Sequence, residues 1–251
     1  MGVGSRNVWF DVRKLVSRPE FRLFCFPYAG GSASIYFNWH KWLPKNVEVC
    51  AIQLQGRGSR YNEELHTNMD QLVEDLVAQI KPLMDVPCAF FGHSMGGNIA
   101  FHLCHKLKLE SEVAPKYLFL SGSSPPDVIE GYPGIDSLTD DEFWEAIKRL
   151  SGTPKELLHN AELMRLMLPV FKADYETLKS GREYLDSLEI PLVLIRGNRD
   201  NSISASEIKS WEKFSNARST MHEFNGGHFY LHRLERELLS CLSSYIASSV
   251  E

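Results

Sequence analysis

Ala89-Phe90-Phe91-Gly92-His93-Ser94-Met95-Gly96-Gly97-Asn98 opens as an apolar run and closes as the start of a helix. Between the two lies Gly-x-Ser-x-Gly, at Gly92, Ser94 and Gly96. A serine between two glycines, after a strand and before a helix, reads as a nucleophile elbow. The strand must reverse sharply, and the serine takes a strained backbone conformation that pushes its hydroxyl out of the turn. The flanking glycines let neighbouring backbone pass where a Cβ would obstruct it. The helix start offers unpaired N–H groups and partial positive charge where an oxyanion would form. So short a motif also occurs by chance, and its weight comes from the elements around it.

Working outward, residues 21–27 (Phe-Arg-Leu-Phe-Cys-Phe-Pro), 47–54, 87–91, 116–121, 190–196 and 219–224 read as strands. Between them, residues 34–43, 98–109, 206–214 and 231–246 read as helices. So do residues 70–84, with apolar side chains at Leu72, Val73, Leu76, Val77, Ile80 and Leu83 in helical spacing. This alternation predicts an α/β fold, with a mostly parallel central sheet and helices on both faces. Sites in such sheets gather at the carboxyl ends of the strands. Residues 1–20 read as a lead-in without an element.

The rhythm breaks over residues 123–189. Pro125, Pro126, Asp127, Pro133 and Gly134 are followed by helical stretches at 139–150, 154–159 and 161–179, with no strand among them. We read this as a helical lid insertion within a single domain. Leu163, Met164, Leu166, Met167, Leu168, Val170 and Phe171 make its last helix apolar nearly all round. Such a helix must be covered or must line something, and Met164, Met167 and Phe171 are expected to form an adaptable substrate wall.

Composition narrows the classes. A chain of 251 residues, 43% hydrophobic and 24% charged, is ordinary for a globular protein. A formal net charge of −5 argues against nucleic-acid and anionic-membrane binding. No run approaches the roughly 18 apolar residues of a membrane span, and the first residues lack a signal-peptide core. A cytoplasmic location is expected. The five cysteines fall mostly in apolar runs and read as small buried hydrophobes in a reducing compartment. His102 and His105 sit three apart on a predicted helix without a third ligand and read as helix-surface residues, so no metal is expected.

Residues 196–201 end a strongly apolar strand in a turn carrying Asp200, and Gly226-Gly227-His228-Phe229 follows the last strand. Ser94, Asp200 and His228 therefore stand in the order Ser…Asp…His, each past a strand, as in an α/β-hydrolase triad. Histidine would take the serine proton and later hand it to the leaving group, and the carboxylate would hold the imidazole tautomer. Asp127, Asp174 and Asp186 rank below Asp200 because none ends such a strand. His93, on the strand beside the serine, reads as structural. The oxyanion donors are expected to be the backbone N–H groups of Met95 and Ala29, the latter in the glycine turn Tyr28-Ala29-Gly30-Gly31-Ser32. Tyr28 and Phe229 join the lid residues as expected substrate contacts.

Over nearly its whole length the chain resembles the type II, or editing, thioesterases of nonribosomal peptide and polyketide synthases, a family that includes the stand-alone acyl-carrier-protein hydrolases of fatty-acid synthesis. The resemblance is carried by residues 23–32, by Gln53-Leu54-Gln55-Gly56-Arg57-Gly58, and by Gly92-His93-Ser94-Met95-Gly96-Gly97. It continues through Gly152-Thr153-Pro154, Leu168-Pro169-Val170-Phe171-Lys172-Ala173-Asp174-Tyr175 and Gly226-Gly227-His228-Phe229. Tyr28 stands where the family usually has His, and Gln55 where it has Pro. The resemblance implies hydrolysis of acyl groups from the phosphopantetheine thiol of an acyl or peptidyl carrier protein, bound transiently by a monomeric enzyme without a cofactor of its own. Release of medium-chain fatty acids, general carboxylesterase activity, and a catalytically idle docking module stand as alternatives.

Overall fold

The computed structural model describes residues 7–110, 113–129, 138–149, 160–181 and 186–249. The apolar runs form a seven-stranded sheet in the order β1-β3-β2-β4-β5-β6-β7. The strands are β1 (Phe10–Asp11), β2 (Phe21–Phe26), β3 (Val47–Ile52), β4 (Cys88–His93), β5 (Leu118–Ser121), β6 (Leu192–Gly197) and β7 (Ser219–Phe224). All neighbours are parallel except β1, which runs antiparallel beside β3. Every residue of β2 to β6 is buried, which is why these strands read as predominantly apolar runs.

Alternate residues serve the two faces. Phe24, Phe26, Phe90, Leu118 and Leu192 pack under helices α1 (Met69–Ile80) and α2 (Met95–Glu110). Leu23, Cys25, Phe91, Phe119 and Val193 face Tyr36, Trp39 and the last helix. Among the described residues the remaining α-helices are α3 (Pro126–Ile129), α4 (Asp140–Arg149), α5 (Ala161–Lys179), α6 (Ala205–Lys209), α7 (Tyr230–Arg233) and α8 (Glu235–Ala247). No helix among the described residues is long and apolar enough to cross a membrane.

Several local expectations change. Within the lead-in, Phe10 and Asp11 pair with Ile52 and Ala51, and the buried Trp9 ring lies 3.9 Å beneath the Arg60 guanidinium. The helix expected over 34–43 is instead two 3₁₀ turns, Ala33–Tyr36 and Trp39–Lys41. That geometry aligns residues three apart, and it stacks the buried Tyr36 and Trp39 rings edge to face at 4.7 Å. His102 and His105 are buried rather than on the surface. Helix α2 is covered on both sides, and the Phe101 ring meets Trp211 and Phe214 away from the sheet. Burial pushes the His105 imidazole down to about 4, with His102 adding to the effect. No group of three or more potential metal ligands occurs among the described residues.

In the segment between β5 and β6, α4 and α5 pack through Phe143, Trp144, Ile147 and Phe171, and Lys172 pairs with Asp140. The helix expected over 154–159 and the Gly152-Thr153-Pro154 motif lie outside the described residues.

Candidate active site

Ser94 sits between β4 and α2 at φ 53°, the one positive-φ non-glycine among the described residues. Such a conformation costs about 1–3 kcal/mol and persists only where the surroundings impose it. Here the Ser94 N–H donates to the Ser121 carbonyl at 2.8 Å, and its own carbonyl accepts from Gly97 N–H at 3.0 Å. A Cβ on Gly92 would lie 2.1 Å from the Gly96 carbonyl oxygen, and one on Gly96 would lie 2.1 Å from that of Phe26. The elbow closes because neither residue has a side chain.

The loops after β6 and β7 are laced together, with Asn198 N–H donating to Phe224 O and Arg199 N–H to Gly226 O, both at 2.8 Å. They bring Asp200 Oδ2 to 2.7 Å from His228 Nδ1. Ser202, two residues past Asp200, went unnoticed in the sequence. Its N–H and hydroxyl donate to Asp200 Oδ1 at 2.9 and 2.5 Å, and its oxygen lies 2.9 Å from His228 Nδ1. With the hydroxyl proton committed to Asp200, Nδ1 must carry the imidazole proton, which leaves Nε2 as the basic nitrogen. Burial alone would raise the Asp200 carboxyl. The bonds from His228 and Ser202 overcome that and hold it below its ordinary value.

Ser94 and His228 line one cleft, partly open to solvent, together with Tyr28, Ala29, Met95 and Phe171. Ser94 Oγ has no hydrogen-bond partner among the described residues, and in a resting site this contact commonly tightens only around substrate. The N–H groups of Ala29 and Met95 also have no acceptor among the described residues. Met95 is the first residue of α2, where no upstream carbonyl can serve it.

His93 lies closer to the site than its place on the strand implied. Its Nδ1 meets Ser121 Oγ at 2.8 Å, and its ring centroid is 4.7 Å from that of His228. Burial, then the neighbouring His228 and His232, hold it well below the ordinary histidine range. A neutral ring therefore lies against His228, where a second cation would oppose imidazolium formation.

Three of the expected substrate contacts sit elsewhere. Met164 and Met167 turn into the α4–α5 cluster, because Phe143, Trp144 and Ile147 offer them an apolar bed. Phe229 packs on Tyr28 with ring centroids 4.9 Å apart and stays off the cleft wall. The wall instead draws Ile129, Tyr175 and Leu178 from the inserted segment and Asn98 from α2. Leu163 and Leu166 are exposed, so α5 is not covered all round. Tyr28 donates or accepts at 3.0 Å with His232 Nε2, and burial raises its hydroxyl to about 12, so it remains a neutral phenol.

The thioesterase domain family matches residues 21–245, which takes in the elbow, both partner loops and the inserted helices. The chain belongs to that family. It is 36% identical over 238 residues to gramicidin S biosynthesis protein GrsT of Aneurinibacillus migulanus, covering 94% of this chain and 93% of that protein. It is 31% identical to the human medium-chain S-acyl fatty acid synthase thioesterase, over 94% of this chain and 91% of the relative. Among solved structures, ClbQ from the colibactin NRPS/PKS pathway superposes with a TM-score of 0.80 at 32% identity, covering 91% of this chain and 98% of ClbQ. The fold is that of the α/β-hydrolases, and the candidate site of this thioesterase-family chain lies at the carboxyl ends of β4, β6 and β7.

Proposed function

We propose that the chain is a stand-alone serine thioesterase that hydrolyses acyl groups from the phosphopantetheine thiol of carrier proteins, clearing stalled or misprimed chains in nonribosomal peptide or polyketide synthesis. The observation that carries this reading is the 2.7 Å bond between Asp200 and His228 beside the strained Ser94 on one cleft wall. The relatives GrsT, named for gramicidin S biosynthesis, and ClbQ, from the colibactin NRPS/PKS pathway, support this substrate class.

In this mechanism Ser94 Oγ attacks the thioester carbonyl carbon while His228 Nε2 takes its proton. The oxyanion accepts hydrogen bonds from the Ala29 and Met95 N–H groups. The C–S bond then breaks, and the pantetheine sulfur leaves as a thiol with the proton from His228. Water attacks the acyl-serine ester by the same route, releasing a carboxylic acid and restoring Ser94. The carrier protein docks transiently on a monomeric enzyme, which needs no cofactor of its own.

The test is single-turnover hydrolysis of acetyl-, aminoacyl- and longer acyl-loaded carrier protein by wild type and Ser94→Ala. Release of short acyl groups that is lost in the variant is the expected result. A maximum at medium chain length would move the assignment to fatty-acid release, the reading that the human relative favours. Equal rates for the two proteins would remove the nucleophile.

A further inference from the structure

Asp174 lies on α5, 117 residues from Arg57, and the two meet as a buried bidentate pair. Arg57 Nη1 donates to Oδ2 and Nη2 to Oδ1, both at 2.6 Å. The carboxylate has a third partner: the Gly30 N–H donates to Oδ2 at 2.7 Å. Gly30 directly follows Ala29 in the glycine turn and sits at φ +74°, where an L side chain is strained. The Phe171 ring of the same helix covers it so closely that a Cβ there would lie 2.5 Å from Cζ. Helix α5 therefore grips the turn twice, by a ring against the Gly30 Cα and a carboxylate on its N–H.

That grip reaches the chemistry through backbone planarity. Fixing the Gly30 N–H fixes the whole peptide plane from the Ala29 carbonyl to Gly30. The adjacent plane carries the Ala29 N–H and retains only the two Ala29 dihedrals as freedom. Stability alone is a weak reason for such a pair, since well-packed apolar residues commonly replace a buried ion pair without loss.

We propose that Asp174, held by Arg57, is a positioning residue for the oxyanion hole. Seating α5 on the glycine turn aims the Ala29 N–H, so the hole is complete only while the helix is seated. The inference rests on the reading of Ala29 as an oxyanion donor, and it holds for any acyl ester that Ser94 attacks.

Two double variants isolate the acceptor. Arg57→Met/Asp174→Leu and Arg57→Met/Asp174→Asn both remove the buried charges, but only the second keeps an oxygen facing the Gly30 N–H. With S-acetyl-pantetheine as substrate, which needs no carrier protein, the Leu variant should lose about ten- to a hundredfold in kcat while KM changes far less. Its labelling by a fluorophosphonate should slow in proportion, and the Asn variant should recover most of both losses. Urea unfolding checks that each is folded, and Arg57→Met/Asp174→Ala replaces the Leu variant if that one is not. Equal kcat values for acceptor-bearing and acceptor-lacking variants would overturn the proposal, as would wild-type kcat in the latter. Ser94→Ala, assayed alongside, tests the nucleophile separately: its full activity would remove the serine mechanism itself.

Discussion

Two buried arginine–carboxylate pairs sit at opposite ends of the sheet. At the amino end, Arg22, the second residue of β2, pairs with Cys88 and donates from Nε to Glu48 at 2.8 Å, from Nη1 to the Leu83 carbonyl at 2.7 Å, and also to Asp85. At the carboxyl end, Arg57 and Asp174 also make a buried contact, but one partner belongs to the inserted helix and the carboxylate also holds a backbone N–H of the glycine turn. The chemistry is the same and the connection differs. The first pair joins strands to one another far from Ser94, whereas the second joins a helix over the cleft to a turn in its wall. Burial and charge do not mark a functional residue; what else the group touches does.

The largest effect should come from the carboxyl end. Asp200→Asn should lower kcat by about 10⁴-fold, because the amide can present its N–H₂ to Nδ1 and favour the wrong imidazole tautomer. Single-turnover kinetics would measure it, and a loss under about tenfold would separate Asp200 from the chemistry. At the amino end, Glu48→Ala should destabilise by about 3–5 kcal/mol, since it leaves Arg22 buried without one of its charge partners. Turnover per folded molecule should stay at the wild-type level. If kcat falls with stability, the contrast between the two ends collapses.

Smaller changes sharpen it. Ser202→Ala removes a hydrogen bond from Asp200 but leaves the Asp200–His228 bond, and should cost roughly tenfold in kcat, about the worth of one hydrogen bond to a charged group. Asp200 also sets a pH dependence of stability. Its folded carboxyl lies below the ordinary 3.8, so its contribution is complete above that value and drains away as pH falls through the depressed one. Urea titrations between about pH 5 and 2 should show a shallower loss for Asp200→Asn than for wild type. Smallest is Tyr28→Phe, which keeps the ring on Phe229 and loses the bond to His232. A change of under about 1 kcal/mol in stability is expected, and a larger one would give the hydroxyl more structural weight than a single hydrogen bond implies.

The parallel sheet and the Ser94, Asp200 and His228 loops were legible because each depends on local features. Strands buried on both faces are predominantly apolar, and an elbow must have small neighbours. What stayed hidden depends on distant partners. Phe10 and Asp11 form a strand only because Ile52 and Ala51 await them. His102 and His105 look like surface polar residues until Trp211 and Phe214 cover the far side of α2. Asp174 on a helix carries no local sign of a guanidinium 117 residues away, and ranking aspartates by the strands they end passed over it. Met164 and Met167 pack on Phe143, Trp144 and Ile147, a neighbour that periodicity cannot name, because it gives a helix its apolar face and not what that face meets.

If Ser94 forms the covalent acyl-enzyme, labelling the protein with a fluorophosphonate and locating the adduct by peptide mass spectrometry will find it there. A single adduct on Ser94, absent from Ser94→Ala and slowed in His228→Ala, is the predicted result. An adduct on a different serine, or undiminished labelling of Ser94→Ala, would contradict it.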